Sequence, residues 1–89
     1  MSKLRAVLKG VKFALSGYVN PERKELRELA EEMGATYSPN WSKNCTHLAC
    51  AFGGTPKIME AEKDGGIIVK GDWIRACWQQ ESKLDESDA

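Results

Sequence analysis

An α/β fold, a four-stranded parallel sheet with helices on both faces, is predicted by three features of this 89-residue sequence. Short runs of β-branched and aromatic residues alternate with segments of helical period, in the order β-α-β-β-α-β-α. Prolines at helix starts and glycines at helix ends punctuate the alternation. No repeat, linker or low-complexity segment divides it, so a single domain is expected.

Residues 11–15, VKFAL, read as a buried strand that stops at Ser16-Gly17. Asn20-Pro21 is a helix start. Asn20 is the expected cap, Pro21 has no amide to lose at the first helical position, and Glu22 and Glu25 suit the positive end of the helix dipole. Leu26, Leu29, Ala30 and Met33 follow at i, i+3, i+4 and i+7 as one apolar stripe, with Gly34 as a left-handed stop. ATY at 35–37 is a short strand closed by Ser38-Pro39-Asn40, and WSKN at 41–44 is an irregular connection. THLACA at 46–51 is the third strand, ended by Gly53-Gly54. Thr55 caps and Pro56 opens a helix running to about Lys63, with Ile58, Met59 and Ala61 available for burial, before Asp64-Gly65-Gly66 stops it. IIVK at 67–70 is the fourth strand. Asp72 is the expected cap of a last helix, whose Trp73, Ile74, Cys77 and Trp78 form a broad apolar stripe. Trp41 fits no periodic pattern and is read as packing in its loop.

The balance of 42% hydrophobic and 29% charged residues is that of an ordinary globular domain. No run approaches the roughly 20 apolar residues of a membrane span, and MSKLRAVLKG lacks the apolar core of a secretory signal, so no membrane partner and a cytosolic or nuclear location are expected. Thirteen basic residues offset thirteen acidic ones, which excludes bulk attraction to nucleic acid. The distribution is uneven. Residues 81–89 place Glu81, Asp85, Glu86 and Asp88 against Lys83, a net −3, and leave +3 for the rest. The acidic run is read as a solvated, frayed end.

Three cysteines, Cys45, Cys50 and Cys77, fit no disulfide framework and are read as reduced thiols. A zinc site from these and His47 is disfavoured, because strand alternation puts Cys45 and His47 on one face and Cys50 on the other. His47 has no nucleophile in register, so a structural histidine is favoured over a general base. The helical spacing of Trp73 and Trp78 makes them core residues rather than stacking platforms.

LSG at the end of the first strand, the helix ending in Gly34-Ala35, THLAC, TPK and the tryptophan of GDWIRAC together resemble the BRCT domain, over residues 8 to 80. Residues 1–7 and 81–89 are then expected as flexible ends. Where many members have two glycines, this chain has Gly34-Ala35, which matters only if the turn needs a second positive φ. LSGYVNPER, PNW, THLACAF and TPK are most similar to the central BRCT domain of a scaffold protein in single-strand-break repair. The resemblance implies the sheet order 2-1-3-4, with the first and third helices on one face and the second on the other. A crevice then opens at the carboxyl ends of strands one and three, where the crossovers diverge.

A phosphate in that crevice calls for a neutral donor, an open amide, a positive dipole end and a point charge. Ser16 has the hydroxyl, Gly17 the unshielded N–H, the helix at Thr55 its free amides, and Lys57 the ammonium. The resemblance places Ser16, Gly17 and Lys57 in the family's phosphate pocket and Arg23 at a basic position that supports polyanion binding. Each has a plainer reading: Ser16 as a turn residue bonding its own backbone, Lys57 and Arg23 as solvated surface cations. A cation in the first turn of a helix opposes the dipole, which favours an anion near Arg23 and Lys57.

The expected function is a non-enzymatic, nuclear repair module needing no cofactor. It binds poly(ADP-ribose), poly(ADP-ribosyl)ated proteins and nicked or gapped DNA, besides repair proteins or another BRCT domain. The alternative is a protein-docking BRCT domain with a vestigial pocket. A receiver domain would need an aspartate where Ala51-Phe52 stands, and no GxxxxGK[ST] loop or nucleophile-base pair occurs.

Overall fold

The computed structural model describes residues 3–86. A 3-10 turn at Lys3–Ala6 leads into β1 (Lys12–Ser16), α1 (Glu22–Glu32), β2 (Thr36–Tyr37), β3 (His47–Cys50), α2 (Pro56–Lys63), β4 (Ile67–Lys70) and α3 (Gly71–Gln80). All four strands are parallel, as the alternation of elements predicts, in the order β2-β1-β3-β4 that the family resemblance implies. The register sets Phe13 opposite His47 and Ser16 opposite Cys50, so β1 and β3 end together. The chain reverses its direction of travel across the sheet between these two strands, which places their carboxyl ends at the switch point.

Alternation along the strands divides the core in two. Phe13, Leu15, Ala49 and Val69 face α1 and α3 and pack with Leu26, Ala30, Met33, Trp73, Ile74 and Cys77. Ala14, Leu48 and Cys50 face the other way, under α2, with Trp41, Cys45 and Ala61. Leu26, Ala30 and Met33 of the predicted stripe are fully buried. Gly34 takes φ +95°, the left-handed stop expected of it. Ala35 has no positive φ and is buried, so the missing second glycine costs this turn nothing.

Several local expectations are corrected. Asn20 does not cap α1. The Arg23 amide that such a cap would bind donates to the Val19 carbonyl at 3.0 Å, and Pro21 takes the cap position with no side-chain bond. Asp72 lies inside the first turn of α3, because β4 runs directly into the helix and Lys70 is its cap. Met59 is 69% exposed, since α2 turns Ala61 and Ile58, not Met59, toward the sheet. Thr55 does cap α2, accepting from the Ile58 amide. Cys45 precedes β3 rather than lying within it, so it escapes the strand alternation and joins Cys50 on the α2 side, away from His47. Among the described residues no three His, Cys, Asp or Glu side chains converge as metal ligands.

The tail differs from the solvated run anticipated, as far as residue 86. Trp73 Nε1 donates to the Leu84 carbonyl at 3.1 Å, and the Leu84 amide reaches Cys77 Sγ at 3.4 Å. His47 Nε2 lies 2.8 Å from Glu86 Oε2, its Nδ1 lies 2.6 Å from Thr46 Oγ1, and its ring stacks on Trp73 at 5.1 Å between centroids. His47 is therefore a structural bridge from the sheet to the tail. Asp88 lies outside the described residues.

Candidate functional site

At the switch point the ends of β1 and β3 and the loops that follow them meet. Ser16 is the last residue of β1 and only 7% exposed. Its hydroxyl has no hydrogen-bond partner among the described residues, and it is absent from the atoms sealed away from solvent, so its oxygen still meets water. The Ser16 carbonyl is used, accepting from the Ala51 amide at 2.9 Å, which locks the two strand ends together. That leaves the side chain as the free group. The expectation that Ser16 bonds its own backbone is not met.

Gly17 takes φ +82°, a conformation that costs an L-residue and that glycine adopts freely. A Cβ there would also stand 2.9 Å from Phe52 Cε1 and 3.1 Å from Ala51 Cβ. The turn therefore requires glycine, and a Cβ would also have to push the exposed Phe52 ring aside. The Gly17 amide has no acceptor among the described residues, and neither have the amides of Phe52, Gly53 and Gly54 in the loop opposite. Among the described residues the Ser16 hydroxyl and the Gly17 amide at the end of β1 are thus without partners, as are the amides of residues 52–54, which precede the eight-residue α2.

Lys57 stands exposed in the first turn of α2, with no carboxylate partner among the described residues. Arg23 is placed differently. Its Nη2 donates to Tyr37 Oη at 2.9 Å, and it lines a polar cleft with Asn20, Lys24, Arg27 and Tyr37. The Arg27 guanidinium lies over the same Tyr37 ring, 5.5 Å from its centroid. Ser16 and Gly17 are thus neighbours with the loop that launches Lys57, whereas Arg23 belongs to a second, basic cleft along α1.

Tyr18 is the support that the sequence did not signal. Its hydroxyl accepts the Gly71 amide at 2.7 Å and donates to the Cys50 carbonyl at 3.1 Å, tying the loop after Gly17 to the ends of β3 and β4. Burial raises its pKa above the ordinary value of 10.0, despite the Gly71 amide, which favours the phenolate. Trp41 also finds its place. Its indole N–H donates to Asp64 Oδ2 at 2.9 Å and its ring fills the space above Gly66, so it closes the α2 face of the core. Burial pushes the Cys50 and Cys77 thiols up, away from the thiolate that nucleophilic chemistry needs.

The sequence profile of the BRCA1 C Terminus (BRCT) domain matches residues 3–78. The chain belongs to the BRCT family. Among curated relatives, the DNA-repair protein XRCC1 of Arabidopsis thaliana is 48% identical over 79 residues, 89% of this chain and 22% of that protein. The DNA repair protein XRCC1 of Homo sapiens is 44% identical over 82 residues, 92% of this chain and 13% of that protein. This BRCT chain therefore spans under a quarter of the relatives it matches. The solution structure of the first BRCT domain of XRCC1 superposes with a TM-score of 0.90 at 42% identity, covering 97% of this chain and 67% of that one. Rad4 BRCT1,2 in complex with a Crb2 phosphopeptide shares the BRCT fold at a TM-score of 0.87 and 22% identity, over 93% of this chain and 46% of that one.

Proposed function

We propose that this BRCT domain is a non-catalytic phosphate-binding module of an XRCC1-like repair scaffold, acting in the nucleus and needing no cofactor. The observation that carries the proposal is the unpartnered Ser16 hydroxyl followed by the free Gly17 amide at the switch point of the sheet, with the residue 51–52 segment packed against Gly17. Ser16 and Gly17 hold a phosphate, with Lys57 as the point charge from α2. The second cleft, with Arg23, Lys24 and Arg27, takes another phosphate of the same polyanion.

Two anion sites on one small domain favour a ligand that presents many phosphates. Each contact is weak alone, and a polymer gains through effective concentration. Poly(ADP-ribose), free or on modified proteins, is the polyanion of choice, with nicked or gapped DNA as a second. Recruitment of the scaffold to breaks follows from that affinity, with repair proteins brought along as its partners.

Titration with poly(ADP-ribose) at two salt concentrations tests the assignment. Ser16→Ala and Lys57→Ala each weaken binding severalfold, and Lys57→Ala and Arg23→Ala also flatten the salt dependence, each by about one phosphate's worth of slope. Undiminished binding by a folded Ser16→Ala/Lys57→Ala double variant overturns the pocket.

A groove between α1 and α3 favours a second reading, protein docking. Leu29 and Trp78, both partly buried, line it with Glu25, Glu28 and Glu32. A second BRCT domain with a basic helix face is the partner it suits. Sedimentation across a concentration range, showing self-association without polymer binding, would place function there instead.

A further inference from the structure

Phe52 is 61% exposed, in a chain whose other aromatic residues are buried or partly buried. Among the described residues most of its surface is left uncovered. A Cβ at Gly53 or Gly54 would meet no atom within 4 Å, so the loop on its far side stands open. The ring is nevertheless not remote from the site. Its Cε1 and Cζ lie 2.9 and 3.2 Å from where a Gly17 Cβ would stand, so the aromatic edge packs against Gly17. Phe52 also lines a mainly apolar cleft with Ala51, Ile58, Ile68 and Lys70.

An aromatic face, aliphatic walls and one cation, Lys70, lie next to Gly17 and the end of β1. A purely apolar partner would leave the Ser16 and Gly17 donors and Lys57 unused, and a bare phosphate would leave Phe52 and the cleft unused. A ligand that is flat and apolar at one end and anionic one sugar away uses both. We propose that Phe52 and the cleft of Ile58 and Ile68 hold the purine base of the nucleotide whose phosphate sits at Ser16 and Gly17. The inference rests on the phosphate reading above and adds a base-recognising element to it. Phe52 then selects nucleotide polymers over other polyphosphates, since every stacked base adds to the phosphate contacts rather than replacing them.

Adenosine 5′-monophosphate and ribose 5-phosphate separate the two readings in NMR titrations of the isotope-labelled chain. Both probes shift the Ser16 and Gly17 amides. The nucleotide alone shifts the Phe52 ring and the Ile58 and Ile68 methyls, and binds roughly tenfold more tightly than the sugar phosphate. Phe52→Ala, at an exposed position, lowers the nucleotide's affinity to that of ribose 5-phosphate and leaves the latter unchanged, while Phe52→Trp keeps the advantage. Equal affinities for the two probes in the unaltered chain, with Ser16 and Gly17 shifted, overturn the purine slot and spare the phosphate site. Unmoved Ser16 and Gly17 amides with both probes overturn the two together. A phosphoserine peptide that shifts Phe52 at concentrations where the nucleotide does not assigns the cleft to a peptide side chain and refutes the base.

Discussion

Replacing Tyr18 by phenylalanine removes one oxygen and tests how the loop of the site is held. That oxygen accepts the Gly71 amide at 2.7 Å and donates to the Cys50 carbonyl at 3.1 Å, across 53 and 32 residues of sequence. Gly71 is buried, and a Cβ on it would stand 2.6 Å from the Tyr18 oxygen and 2.8 Å from Leu26 Cδ1, so the amide sits too close for water to enter without rearrangement. Two hydrogen bonds at about 1 kcal/mol each, with a buried donor left unmet, give a loss of about 2 to 3 kcal/mol. For a domain of this size that lowers the melting temperature by roughly 8 to 24 °C. Urea unfolding followed by tryptophan fluorescence measures it, with an unchanged m-value as the mark that only stability moved.

The same substitution has a pH signature. Because burial raises the tyrosine's folded pKa above the ordinary 10.0, its contribution is fully present below that value and is lost as pH rises through the higher folded pKa. The stability of the unaltered chain therefore falls more steeply in that alkaline window than that of Tyr18→Phe. A loss below about 0.5 kcal/mol, with parallel alkaline limbs, would refute the view that this hydroxyl ties the loop to the sheet ends.

Further consequences concern the tail and the second core face. The bond from His47 lowers the Glu86 pKa below its ordinary 4.5, so the carboxylate's contribution is present above that range and lost as pH falls through the depressed value. Urea midpoints across the acid range should show a flatter limb for Glu86→Gln, and coincident limbs would mean that the tail contact carries no stability. Gly66→Ala drives a methyl into the Trp41 ring and the Ala61 carbonyl, and should cost about 1 to 3 kcal/mol with a changed near-ultraviolet tryptophan spectrum. Full stability in that variant would show that Trp41 moves aside easily and is no wedge.

The candidate site was partly legible in the sequence. Ser16-Gly17 announced itself as an abrupt stop, and a hydroxyl followed by glycine at a strand end has few structural uses. Thr55-Pro56 announced the helix that carries Lys57, because capping chemistry is local and reads from adjacent residues. Arg23 was visible as a cation placed against a helix dipole, but its attachment to Tyr37 was not. That bond depends on how far β2 reaches beside α1. Phe52 was seen only within THLACAF and as a residue where a receiver's aspartate is missing, since no periodicity marks a side chain that stays outside the core.

The order of elements, the parallel sheet and the two apolar faces were set by the sequence itself. Strand alternation, helical period and the residues that start and stop helices act over a few positions, where the chain's own geometry decides burial. What only the tertiary structure decided are the contacts that cross the fold: Tyr18 on Gly71, Trp41 on Asp64 above Gly66, His47 on Glu86 and Phe52 against Gly17. Each joins residues brought together by strand order and loop path. Such pairings are chosen by close packing among many side chains at once, and no window of sequence contains them.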